Sequence, residues 1–153
     1  MDILSDTNIL IRSVHRKAAN HRQALKALRL LRSKGHRICI VPQNLYEFWV
    51  VATRPIENNG LALTPSQADR ITSRIARVCL LLRDPPELYD EWRRLVLANN
   101  VSGKNAHDAR LVAAMHVHSI QQILTFNVQD FARFPGIQAV HPMDVASTAQ
   151  SAE

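Results

Sequence analysis

Short apolar runs alternate along the chain with longer stretches whose apolar positions recur at helical spacing. Residues 2–6 form an apolar-rich run ending in a carboxylate and predict a first strand, and residues 8–14 predict one short helix. A longer helix is expected from a cap at Asn20 to about Lys34, with Gly35 as its stop. Along it Ala24, Leu25, Ala27, Leu28 and Leu31 share one face, and Arg22, Lys26 and Arg29 fall on the opposite one. Residues 38–41 predict a second strand ended by Pro42, and 44–53 a helix stopped before Pro55. A loop over 56–63 carries Asn58, Asn59 and Gly60. Thr64 caps the next helix, with Pro65 at its first position, to about Arg77. Residues 78–82 predict a third strand. An amphipathic helix over 87–99 follows Asp84-Pro85-Pro86, and 102–105 is a loop. A helix over 106–118, a fourth strand over 122–126 and a short fifth over 137–140 complete the pattern.

Strands alternating with helices point to an α/β domain with a mostly parallel sheet. There is no internal repeat, low-complexity tract or linker, so residues 1–145 read as one domain. The small, polar tail at 146–153 is expected to fray. In such sheets functional groups collect at the carboxyl ends of the strands and at the adjoining helix starts.

Composition narrows the class. With 153 residues, 46% hydrophobic and 21% charged, the chain is ordinary globular material and can bury a core without disulfides or metals. No apolar run approaches the roughly 20 residues of a membrane span. Met1-Asp2-Ile3-Leu4 lacks the basic and apolar regions of a secretory signal. Cys39 and Cys79 lie inside apolar stretches and read as reduced core residues of a cytoplasmic protein.

Charge adds a partner class. The net charge is +6. No Asp or Glu occurs between Thr7 and Tyr46, a stretch that holds nine of the nineteen basic residues, from Arg12 to Arg37. A one-sign segment suits a polyanion, either nucleic acid or an acidic protein segment, although a basic surface also serves solubility alone.

Four acidic positions fall where the sheet rule directs attention. Asp6 ends the first strand, Glu47 lies one turn into the helix after the second, Asp108 is in the first turn of a later helix, and Asp130 follows the fourth strand. Gathered at one sheet edge, these carboxylates would repel each other and raise some of their pKa values. A hard divalent cation such as Mg²⁺, or Mn²⁺ in its place, resolves that repulsion with oxygen ligands and water. Each residue also has a plain structural reading. Asp6 can cap a helix, Glu47 can sit on an exposed polar face with Gln43 and Arg54, Asp108 suits any helix start, and Asn127 and Asp130 are turn residues by type. The seven histidines form no metal-ligand motif, and no glycine-rich phosphate loop exists among four glycines.

Asp6-Thr7-Asn8, Glu47, the segment His107-Asp108-Ala109-Arg110-Leu111-Val112 and the segment Thr125-Phe126-Asn127-Val128-Gln129-Asp130-Phe131 together resemble PIN-domain ribonucleases, above all the VapC toxins of type II toxin–antitoxin modules. The resemblance spans nearly the whole chain. It implies a PIN-like three-layer α/β fold, with a parallel sheet of four to five strands and helices on both faces. It also implies Mg²⁺-dependent endonucleolytic cleavage of RNA by a metal-activated water, homodimers and inhibition by a cognate antitoxin. Carried over, Asp6, Glu47 and Asp108 form the acidic triad. Where many relatives place an Asp this chain has Asn127, so the fourth ligand is Asp130, the Asn127 amide oxygen, or water. Thr7, Asn8, Arg12, Arg16 and Lys17 are the expected substrate contacts. A PIN nuclease of RNA maturation fits the same residues. A non-catalytic binding module fits them less well, because an anion-binding pocket would not keep four carboxylates. An aspartyl-phosphate phosphotransferase wants a second acid where Asn8 stands.

Overall fold

Five short parallel strands carry the structure. In the computed structural model, which describes residues 1–145, β1 (Asp2–Ser5), β2 (Arg37–Ile40), β3 (Leu80–Leu81), β4 (Gln122–Leu124) and β5 (Gln138–Val140) lie in the order β3-β2-β1-β4-β5. Every neighbouring pair is parallel. The tail expected to fray, 146–153, lies outside the described residues. The connections carry α1 (Thr7–Val14), α2 (His21–Ser33), α3 (Pro42–Thr53), α4 (Pro65–Val78), α5 (Leu88–Ala98), α6 (Asn105–Val117) and α7 (Val128–Phe131). No helix among the described residues is long and apolar enough to cross a membrane.

The pleat assigns alternate residues to opposite faces. Leu4, Cys39 and Ile123 are in register and pack under α5 and α6, against Leu88, Leu95, Leu111 and Met115. Ile3, Ile38 and Leu124 turn to the other face and meet Ala24, Leu28 and Leu31 of α2. Ile40 joins Leu10, Phe48, Ala52 and Ile75 from α1, α3 and α4. The result is the α/β domain with a parallel sheet that the residue pattern predicts, in the three-layer arrangement that the resemblance implies. The strand order reverses at β1, so the crevice above the β1/β4 boundary is the topological switch point where such folds place ligands.

Helix α6 is polar in its first turn and buried further on, at residues 109 and 111–115. Its small residues let α5 lie against it, and Trp92 Nε1 donates to Ala106 O at 2.9 Å, pinning the helix start that carries Asp108.

The structure corrects several element boundaries. The third strand is only Leu80–Leu81, because α4 runs on through Val78 and closes with Cys79 N–H donating to Ile75 O. A short edge strand offers little to pair with other chains. Pro42 does not merely end β2; it is the first residue of α3, where its missing N–H costs nothing. β4 stops at Leu124; Thr125 N–H still donates to Val140 O at 3.0 Å, while its side chain turns to the site. Residues 128–131 form a one-turn helix where turn residues alone were expected. Cys39 is fully buried, Cys79 partly so, and both are free thiols.

The loop after α3 is tied to the end of that helix. Gly60 N–H donates to Pro55 O, Leu61 N–H to Val51 O and Ala62 N–H to Arg54 O. A Cβ on Gly60 would lie 1.9 Å from Arg54 O, so only glycine fits there. Gly60→Ala must displace either the loop or the helix end. We expect a loss on the order of 2 kcal/mol, read as a melting temperature lower by roughly 4–8 °C. An unchanged melting curve would show that the loop is not held this closely.

Candidate active site

Asp6 sits where β1 becomes α1. Its N–H continues the sheet by donating to Leu124 O at 2.9 Å, and its Oδ1 caps α1 by accepting from Thr7 N–H at 2.6 Å. Its Oδ2 accepts from Thr125 Oγ1 at 2.6 Å and from Asn8 Nδ2 at 2.9 Å. The capping and functional readings of Asp6 are thus compatible: one oxygen serves the helix while the other faces the donors that follow β4. Asn8 completes the tie between the two strand ends, donating to Thr125 Oγ1 and accepting from Phe126 N–H.

Glu47 is partly buried, one turn into α3. Its Oε2 accepts from Thr7 Oγ1 at 2.6 Å and its Oε1 from Gln43 Nε2 at 2.7 Å. An exposed polar face is therefore not what Gln43 and Glu47 make; Gln43 is buried and faces inward. Gln43 also donates to His107 O at 2.9 Å and accepts from Arg110 Nη1 at 3.0 Å, and Arg110 Nη2 pairs with Asp84 at 2.6 Å. Asn44 caps α3 through Val41 N–H and donates to Thr7 Oγ1. These neutral side chains lock α1, α3 and α6 together beneath the carboxylates.

Sequence reasoning assigned no role to Gln43, Asn44, Arg110 or Thr125. For Gln43 a signal existed in its position four residues before Glu47, which puts both on one helix face. The others are found only through contacts far apart in the chain.

Asp6, Glu47, Asp108 and Asp130 line one cavity of about 390 Å³, together with Thr7, Asn8, Ile11, Val50, Val51 and Asn127. No Lys or Arg lies in that lining. Asp6 is pushed up to about 6, first by burial, against the pull of its hydrogen bonds, with Glu47 and Asp130 adding repulsion. Asp108 is pushed up to about 6 by burial and then by repulsion from Asp130, Asp6 and Glu47. The cavity is an unbalanced negative pocket with oxygen donors only, which is the donor chemistry of a hard divalent cation. Among the described residues no three His, Cys, Asp or Glu side chains close on a single point. A cation here would keep much of its water, as Mg²⁺ does when held by one or two carboxylates.

The expected substrate contacts divide. Thr7 and Asn8 line the carboxylate cavity, and Arg12 lines an adjoining one. Arg16 is not brought to the carboxylates; α1 ends at Val14, and Arg16 lines a separate cavity with Leu28, Arg32 and Arg74. Lys17 is exposed in the turn before α2 and lines neither. His116 bonds Glu91 and His118 bonds Arg83 O, so both have structural partners.

The fold is shared with solved toxin–antitoxin structures. A chain of VapBC2 from Rickettsia felis, bound to a DNA fragment from its promoter, superposes with a TM-score of 0.68 at 14% identity, covering 92% of this chain and 98% of that one. A toxin–antitoxin complex from Klebsiella pneumoniae gives 0.63 at 21% identity, covering 92% and 97%. VapC20 from Mycobacterium tuberculosis, a toxin that cleaves the sarcin-ricin loop, gives 0.57 at 22% identity, covering 79% and 86%. No family model matches the chain, and no curated protein matches it.

The raised carboxyls make a pH prediction for the metal-free protein. The unfolded chain ionises Asp6 near 3.8 and the folded chain near 6. The folded state is therefore disfavoured as pH rises through that interval, by at most about 3 kcal/mol once the group is fully ionised. Asp6→Asn removes this term. In EDTA the variant should melt a few degrees above the parent at about pH 7.5, and the gap should close by about pH 4. A variant less stable than the parent across the whole range would show that Asp6 is not under electrostatic strain.

Proposed function

We propose that the chain is a divalent-metal-dependent endoribonuclease, the toxin of a type II toxin–antitoxin pair. The observation that carries this reading is the set of four carboxylates lining one cavity, without Lys or Arg in its lining, at the switch point of the sheet. The fold shared with a sarcin-ricin loop cleaving toxin supports RNA as the substrate class. The VapBC complexes of the same fold support an antitoxin partner, and a homodimer of the chain belongs to the same reading.

Asp6 and Asp108 would hold Mg²⁺, or Mn²⁺ in its place, which when bound would supply charge neutralisation for the attacked phosphodiester and a more acidic water. Thr7 N–H, Asn8 and Thr125 fix the Asp6 carboxylate, so it is oriented before any ligand arrives. Glu47, held at both oxygens by Thr7 and Gln43, orients the attacking water. No Ser, Cys or His nucleophile is required.

Asp130 completes the set in this reading. Repulsion from Asp130 is the largest charge effect on Asp108, which brings its carboxylate into the same field; Asn127 brings none.

Two predictions follow from these roles. Purified Asp6→Asn and Asp108→Asn proteins should each cleave RNA about a hundredfold more slowly or worse. The parent should cleave in Mg²⁺ and stop in EDTA. Full cleavage by either variant, or by the parent in EDTA, would remove the metal-nuclease reading. Separately, Asp130→Asn should raise the Mg²⁺ concentration for half-maximal cleavage by about tenfold, and Asn127→Ala should raise it less. The reverse order in the two titrations would assign the fourth position to the Asn127 amide.

A further inference from the structure

A second cavity, of about 450 Å³, adjoins the carboxylates, and Asn8, Ile11 and Val51 line both. Its charged lining is entirely basic in type: Arg12 from the last turn of α1, His15 just beyond it, and Arg54 at the end of α3. Among the described residues no carboxylate lines it. Among the described residues neither Arg12 nor Arg54 takes part in an ion pair. Cations at the carboxyl ends of helices are favoured by the helix dipole, but that does not account for how Arg54 is held. Its Nη2 donates to Asn59 O at 3.2 Å, while its Nε is the one buried side-chain nitrogen or oxygen without a hydrogen-bond partner among the described residues. That buried N–H is not itself open to the cavity; what Arg54 brings to the cavity is a guanidinium charge that no carboxylate among the described residues pairs.

We propose that Arg12, His15 and Arg54 form a phosphate subsite, which grips the RNA strand next to the phosphodiester presented to the carboxylates. The proposal rests on the ribonuclease reading above. The shared rim is what favours RNA over an acidic peptide. A chain with a charge at every unit can set one phosphodiester among the carboxylates and the neighbouring one here. Gly60 belongs to the same wall, and its close approach to Arg54 holds the α3 end in place.

The test is steady-state cleavage of single-stranded RNA by the full chain in Mg²⁺ at several salt concentrations. Arg12→Gln/Arg54→Gln should raise KM about tenfold and leave kcat nearly unchanged, because the subsite binds and does not react. Losing one phosphate contact should also flatten the slope of log kcat/KM against log salt by about 0.7. Arg12→Gln alone, whose side chain makes no hydrogen bond among the described residues, should show the same direction if the double variant does not fold. Arg22→Gln/Lys26→Gln removes the same charge from the outer face of α2 and should change KM much less. An unchanged KM in the Arg12 and Arg54 variants, or an equal rise in the α2 pair, would overturn the subsite while leaving the nuclease intact. A parent that cleaves no RNA would overturn both.

Discussion

Four like charges share one small cavity, and the surrounding structure is arranged to hold them there. Carboxylates left to themselves would separate or take up protons. Here the backbone fixes their positions. Asp6 cannot leave because it is at once the last hydrogen-bonded residue of the central strand and the cap of α1. Asp108 cannot leave because α6 is buried along most of its length and pinned at its start by Trp92. The cost of crowding is carried by the core: the apolar layers that bury Leu4, Ile123 and Met115 fix the ends of the elements on which the acids stand.

Between the acids lies a layer of neutral donors. Thr7, Asn8, Gln43, Asn44 and Thr125 all donate to carboxylates or to one another, and no Lys or Arg replaces them in the cavity. The choice has a physical consequence. A lysine or arginine at any of these places would relieve the repulsion permanently and lower the affinity for an added cation. Neutral donors orient the oxygens without cancelling their charge. Arg110 shows the same restraint: it reaches the site only through Gln43 and spends its own charge on Asp84.

Much of this was legible in the residue pattern. The alternation of short apolar runs with amphipathic helices announced a parallel α/β sheet, and the strand-end rule selected Asp6, Glu47, Asp108 and Asp130 before any coordinates. All four line the same cavity. What the pattern missed is of two kinds. Boundaries shifted at the strand ends: β4 is shorter than expected, with the Thr125 side chain already turned to Asp6, and α4 overran the expected third strand. The neutral layer escaped because its contacts join residues as far apart as Asp6 and Thr125, a pairing that periodicity cannot express. Arg16 was misplaced for a related reason. Nearness along the chain to Asp6 does not fix where a side chain just past the end of α1 will lie, and Arg16 lines a separate cavity.

The positive charge of the chain can now be read by place and not as a total. Two cavities share a rim; one is lined only by acids among its charged residues and the other only by bases. Had Arg12 or Arg54 reached across that rim, it would have paired with Glu47 or Asp6, and both cavities would have lost their character. The separation is kept by rigid elements: Arg12 and Arg54 stand at the carboxyl ends of α1 and α3, while Asp6 caps the start of α1 and Glu47 stands midway along α3. In α1 the acid at the amino end and the base in the last turn are the arrangement the helix dipole favours. The length of the helix sets the distance between the charges. On the proposed reading, a polyanion crossing the rim would meet an acidic pocket on one side and a basic one on the other, so the charge pattern would give it a position.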